Sequence, residues 1–141
     1  MRIRIYRNSD RPAWDDYVKA HPKGTFFHLI GWKEVIEKSF GLTSCYLVAE
    51  STQIVGLFPL FRVKSLLFGR PMVSTAFAPY GGILADDRSI ETALYDEAVN
   101  LKKKMNLDYL EIRNENDSYD VLSVKDLYYP SSCIKNIVFE Y

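Results

Sequence analysis

The chain begins with a strict alternation of apolar and polar positions and then changes period. In "IRIYR", Ile3 and Ile5 alternate with Arg2 and Arg4, the two-residue period of a short edge strand. Asp10, followed by Pro12, marks the start of a helix that runs to about Ala20. Trp14, Tyr17 and Val18 stand at i, i+3 and i+4 and form its buried face. "HPKG" then breaks the chain. In "GWKEVIEKSF", Trp32, Val35, Ile36 and Phe40 share one face of a second helix, and Gly41 follows as its terminator.

Two β-rich runs flank Glu50-Ser51-Thr52, the pattern of a hairpin. Both faces of Ile54–Phe61 are apolar, which predicts a central strand. Pro59 lies inside that run without an N–H to give to a ladder, so a bulge or splayed register is expected there. "LLFGRP" reads as a loop and "MVSTAF" as a further strand. Asp86 or Asp87 caps a helix whose core stripe is Ile90, Leu94, Ala98, Leu101 and Met105. "LDYLEIR" returns at once as a strand, and strand, helix, strand at this spacing is a parallel crossover. The chain is polar after Asn114, and "IKNIVFEY" supplies one more strand.

These elements predict a mixed sheet. Segments 43–50, 53–63 and 71–75 are antiparallel neighbours, 107–113 runs parallel to 71–75, helix 88–105 crosses one face and the two early helices the other. The fold class is α/β (α+β mixed sheet), with antiparallel hairpins followed by a parallel βαβ unit. That is the element order of the GNAT acyltransferase fold.

Bulk properties narrow the function. The 141 residues suit one domain, 48% of them apolar and 26% charged. Aromatic residues reach 14%, including ten tyrosines and eight phenylalanines, a share that favours β structure or a ligand cleft. Net charge is +0 and the pI about 6.7, so there is no cationic excess for a phosphate backbone. Lys102-Lys103-Lys104 reads as a helix C-terminus complementing its dipole, with a phosphate contact as the alternative. Cys45 and Cys133 are far apart and lack metal-ligand spacing; Cys45 reads as a small core residue. No stretch resembles a signal peptide or membrane span, which makes the cytoplasm the expected location.

"FFHLIGWKEVIEKSFG", "YLVAESTQIVGLFPLFRVKSLLFG", "PYGGIL" and "YLEIR", in this order over about residues 12–113, resemble the FemAB-like (Fem-type peptidyltransferase) branch of the GNAT superfamily. The likeness is closest to the group associated with exosortase and exopolysaccharide clusters. It implies an N-acyltransferase that moves an aminoacyl group, usually from aminoacyl-tRNA, onto an amine of a cell-wall precursor peptide. It also implies two GNAT-like domains in tandem, with the acceptor held mainly by the first. The chain matches only that first domain. It is therefore expected to be a single GNAT-like domain over 1–141, the N-terminal half of a two-domain protein and inactive alone, with a C-terminal GNAT-like domain as its missing partner.

The candidate site centres on Pro79-Tyr80-Gly81-Gly82. The glycines serve either a turn that needs positive φ or the close approach of a ligand beside Tyr80. His28 and Trp32 lie one turn apart. Resemblance places a polar residue and a tryptophan at this spacing near the acceptor, although glutamine commonly stands where this chain has His28. Glu111 and Arg113 share a face of "YLEIR" with Tyr109; they pair with each other, or Arg113 binds an anionic acceptor. Lys33 and Lys64 are either solvated or in contact with a diphosphate. The substrate-binding candidates are thus Tyr80, Gly81, Gly82, Trp32, His28 and Arg113.

No cofactor is expected in the chain itself. The Arg/Gln-x-x-Gly-x-Gly/Ala loop that holds the acetyl-CoA pyrophosphate has no match in "FAPYGGILADD", so acetyl-CoA is disfavoured and aminoacyl-tRNA is the donor implied for the full-length protein. There is no GxSxG and no metal cluster, and with only His21 and His28 available no catalytic base is assigned. A non-catalytic GNAT-like binding domain is the rival reading, and a stand-alone acyl-CoA N-acetyltransferase the third. The apolar end "IVFEY" predicts either a homodimer of the isolated chain or an exposed aromatic patch near Phe139 and Tyr141.

Overall fold

A computed structural model describes residues 1–64 and 69–113. The expected strand in "IKNIVFEY", Cys133, the edge expected at Phe139 and Tyr141, and the first half of the "LLFGRP" loop lie outside the described residues.

Among the described residues, eight strands form two four-stranded sheets. In the first, β1 (Arg2–Ile5), β3 (Leu47–Glu50), β4 (Ile54–Phe58) and β7 (Leu84–Ala85) lie side by side, all antiparallel. In the second the order is β2 (Thr43–Ser44), β5 (Leu60–Arg62), β6 (Met72–Ser74) and β8 (Leu110–Glu111). There β6 and β8 run parallel, Met72 opposite Leu110 and Val73 opposite Glu111, as the crossover spacing predicts.

Pro59 accounts for the division. The chain runs straight from β4 into β5, and side chains keep alternating across the proline. Phe58 and Leu60 enter one core, Leu57 and Phe61 the other. The ladder partners change, because a proline cannot donate. β4 pairs with β3 and β7, whereas β5 pairs with β2 and β6. The expected splay at Pro59 is therefore a split of the predicted single sheet into two. Segment 43–50 is divided likewise, at Cys45-Tyr46.

Helix α1 (Arg11–Ala20), α2 (Ile30–Phe40) and α3 (Arg88–Lys104) close the two faces. On one, Trp14, Val18, Ile30 and Ile36 pack with Tyr46, Val48, Leu57 and Phe61. On the other, Ile90, Leu94, Ala98 and Val99 of α3 meet Leu47, Ala49, Phe58, Leu60 and Met72. Asp87 caps α3, its Oδ1 accepting from the Ile90 N–H at 3.0 Å. Lys102–Lys104 form its last turn, where cations suit the helix dipole. Gly41 ends α2 in the left-handed region at φ 65°. No helix among the described residues is long and apolar enough to cross a membrane.

Three expectations need correction. Asp10 precedes α1 without capping it; its carboxylate accepts from Arg4 at 2.7 and 2.9 Å and from the Arg7 N–H at 2.7 Å. That ion pair holds the Asp10 carboxyl below its usual range. The α2 face is only partly core: Ile36 is buried and Trp32 half-buried, but Val35 and Phe40 are 49% and 54% exposed. Periodicity assigned them a common face, yet the sheet beneath α2 reaches only part of it. The "MVSTAF" strand stops at Ser74, because Thr75 and Phe77 turn left-handed at φ 42° and 61°.

Candidate functional site

Residues 75–83 carry the chain from β6 in one sheet to β7 in the other. They span the opening that Pro59 creates, and the Thr75 N–H donates to the Pro59 carbonyl at 3.2 Å. Ligands commonly bind where strands end and separate.

Side chains from three other parts of the chain bond this segment through its carbonyls. Trp32 Nε1 donates to Ala76 O at 3.2 Å, Arg113 Nη1 to Ala78 O at 3.0 Å, and His28 Nε2 to Gly82 O at 3.1 Å. From within the segment, Thr75 Oγ1 donates to Gly81 O at 2.8 Å. The Gly81 N–H in turn donates to Arg113 O at 2.9 Å. Five bonds thus fix the backbone path, and all six candidates meet on it. The resemblance and the sequence named them separately; the fold brings five of them into one hydrogen-bond network, with Tyr80 in the segment that the network holds.

Each donor is itself held. Asp15 of α1 accepts from the Ile30 N–H at 2.9 Å and so anchors the start of α2, two residues before Trp32. His28 ends a short 3-10 turn, Phe26–His28. Its Nδ1 accepts from the Thr25 N–H at 3.2 Å, the reciprocal half of a capping box, which leaves Nε2 as the protonated nitrogen facing Gly82. Burial pushes the His28 imidazole down to about 4, against the bond to Gly82 O, so it is neutral at pH 7. Arg113 Nε donates to Glu111 Oε1 at 2.7 Å, and its own N–H to Ser74 Oγ at 2.8 Å. The pairing reading of Glu111 and Arg113 is the one realised: Glu111 is buried, and Arg113 neutralises it.

Tyr80 is half-buried and belongs to an aromatic cluster. Phe27 meets Tyr80 edge-to-face at 5.6 Å and Trp32 at 5.1 Å. Phe26 is 66% exposed and reaches the edge of Trp32 at 6.1 Å. Phe77, 58% exposed, stacks on Phe40 at 4.1 Å. The carbonyls of Thr75, Ala76, Ala78, Gly81 and Gly82 are engaged, so the side-chain groups the segment offers a ligand are the Tyr80 phenol and this aromatic wall.

Lys33 pairs with Glu37 at 3.0 Å and lies over the Tyr6 ring, while Lys64 is exposed. Burial pushes the Cys45 thiol up to about 12, as befits a core residue. Among the described residues, no cluster of three or more His, Cys, Asp or Glu is placed to hold a metal. Sequence reading missed Thr75, Ser74 and Phe27. Only "FFH" before the second helix, an aromatic pair at a helix entry, hinted at the last.

No protein-family model and no curated protein matches the chain significantly. Solved structures do. The chain is similar to FemX, with 20% identity and a TM-score of 0.59 over 79% of its own length, and it spans 27% of the FemX chain. It is also similar to a ribosomal-protein-alanine N-acetyltransferase from Brucella melitensis biovar Abortus 2308, with 14% identity and a TM-score of 0.62, covering 96% of this chain and 99% of that one. A third likeness is to an aminoglycoside antibiotic 6'-N-acetyltransferase from Acinetobacter haemolyticus, with 14% identity and a TM-score of 0.58, covering 96% of this chain and 100% of that one. The chain therefore has the GNAT acyltransferase fold. Identities this low carry the fold and nothing finer.

Proposed function

We propose that the chain is the acceptor-binding domain of a FemAB-like N-acyltransferase, with residues 75–83 as the segment that receives the acceptor amine. The single observation that supports it is the convergence of His28, Trp32 and Arg113 on three carbonyls of one segment beside Tyr80. A turn that only reversed the chain would not need three side-chain donors from distant elements, one of them, His28, buried. In this reading Tyr80 meets the acceptor, the buried Gly81 and Gly82 shape the backbone beneath it, and His28, Trp32 and Arg113 position the segment. Donor chemistry, with aminoacyl-tRNA as the donor, belongs to a second GNAT-like domain, and the acceptor is an amine-bearing cell-wall or exopolysaccharide precursor. Cytoplasmic action follows from that donor.

A second reading has its own support. The N-acetyltransferase from Brucella is covered over 99% of its length, against 27% for FemX, which favours a one-domain acetyltransferase using acetyl-CoA. Two titrations of the full chain, followed by amide NMR, decide between them. A lysine-containing peptide should shift the Tyr80, Gly81 and Gly82 amides, and acetyl-CoA should shift none. Saturable acetyl-CoA binding with a micromolar Kd, about −8 kcal/mol, would replace the first reading by the second. A chain that answers to neither would be a GNAT-like interaction domain.

A further inference from the structure

We propose that Thr75 is the positioning residue of this site: it locks Tyr80–Gly82 to the junction of the two sheets, and its unfavourable backbone is retained for that purpose. The proposal rests on the reading of 75–83 as the acceptor segment and adds the residue that sets its conformation.

Thr75 is fully buried and left-handed at φ 42°. A β-branched residue is poorly suited to that region, where glycine or asparagine sits easily. Threonine brings a hydroxyl and a methyl group in exchange, and the surroundings use both. Oγ1 donates to Gly81 O at 2.8 Å. Gly81, at φ 147°, lies against the Thr75 side chain so closely that a Cβ there would collide with it. The two residues interlock: one keeps its side chain in a strained backbone, and the other gives up a side chain to admit it.

The Thr75 backbone completes the lock. Its N–H donates to Pro59 O at 3.2 Å, the point where β4 passes into β5, and its carbonyl accepts from the Ala78 N–H at 3.1 Å. One residue is thus bonded to the sheet junction, to the middle of the segment and to Gly81. Phe77 is also left-handed, so the sharp path out of β6 is built from two strained residues flanking Ala76. Strain of this kind persists only where the surroundings over-determine it, and it gathers at sites that hold ligands.

The test uses amide hydrogen exchange of the full, unliganded chain. Exchange at Tyr80, Gly81 and Gly82 reports the segment, and exchange in α3 reports the whole fold. Thr75→Val keeps the shape and removes the hydroxyl, Thr75→Ser keeps the hydroxyl, and Thr75→Asn relieves the backbone. Thr75→Val and Thr75→Asn should speed exchange at Gly81 by about tenfold or more relative to α3, whereas Thr75→Ser should stay within about threefold of the parent. The proposal fails if Val and Asn leave Gly81 unchanged, or if they accelerate the segment and α3 equally, as a purely structural hydroxyl would. Should Thr75→Val not fold, the comparison of Ser with Asn decides: equal loosening overturns the idea. No ligand enters the measurement, so failure here is separate from a failure of the peptide titration.

Discussion

Between pH 6.5 and pH 4 the protein should lose about 3 kcal/mol of stability through one residue, His28. In the unfolded chain its imidazole titrates near 6.5, and in the fold burial holds it near 4. Above pH 6.5 both states carry neutral imidazole, so its contribution is full and flat. Below 6.5 the unfolded state takes up a proton that the folded state refuses. Stability then falls as the pH drops, by about 1.4 kcal/mol per pH unit at the steepest. The loss is complete near pH 4, where the folded state protonates too. Burial explains the refusal, because a charged imidazole would lose its hydration there, and Nδ1 is already engaged by the Thr25 N–H. Urea unfolding of the parent and of His28→Gln, at steps from pH 7.5 to 4.5, isolates the effect. Glutamine offers one acceptor and one donor group and does not titrate. The carboxylates of Asp10 and Glu50, both held low by Arg4, titrate in either protein and cancel in the difference. Parent minus variant should be constant above pH 7 and fall by about 2–3 kcal/mol by pH 4.5. Parallel curves over that range would refute both the neutral tautomer and the clamp it forms on Gly82.

Further outcomes are expected. Tyr46 is buried and its hydroxyl has no partner among the described residues, so Tyr46→Phe should raise stability in urea by about 1 kcal/mol; an equal loss would reveal a bond to that oxygen. Arg113→Met leaves the Glu111 carboxylate buried and unpaired and should cost about 3 kcal/mol, of which adding Glu111→Gln recovers at least half in a double-mutant cycle; additive losses would show that the pair is not coupled.

Much of the fold could be read because its signals are local. Alternation at Ile3 and Ile5, the cap at Asp87, the terminator at Gly41 and the breaker at Pro59 each act within a few residues, and each sits where it was expected. Helix α2 marks the limit. Its 3.6-residue period groups Trp32, Val35, Ile36 and Phe40 on one face, but period does not say whether anything covers that face. Coverage is a tertiary property, and here it stops at Ile36. The site divides along the same line. Tyr80, Gly81 and Gly82 stand out because proline and glycine punctuate a chain visibly. Thr75 does not, since a threonine after a strand is an ordinary residue until its φ is known.

The donors were legible and their acceptors were not, for a reason that lies in the backbone. His28, Trp32 and Arg113 are chemically distinctive, but Gly82, Ala78 and Ala76 accept through carbonyls that every residue carries. A sequence pattern records the donor of such a bond and leaves its acceptor blank. It follows that the hydrogen bonds make no demand on the side chains at 76 and 78, where burial alone confines the chain to small residues, and that the network is brittle at 28, 32, 75 and 113. At Gly81 the demand is steric, because Thr75 occupies the space of its missing side chain. The geometry of the candidate site therefore rests on a few donors with special side chains and on one interlocked pair, Thr75 and Gly81. Of the aromatic wall beside them, Trp32 is tied to the segment through Ala76 O, whereas Phe27 meets it only through ring contacts and can vary in shape without breaking one of these bonds.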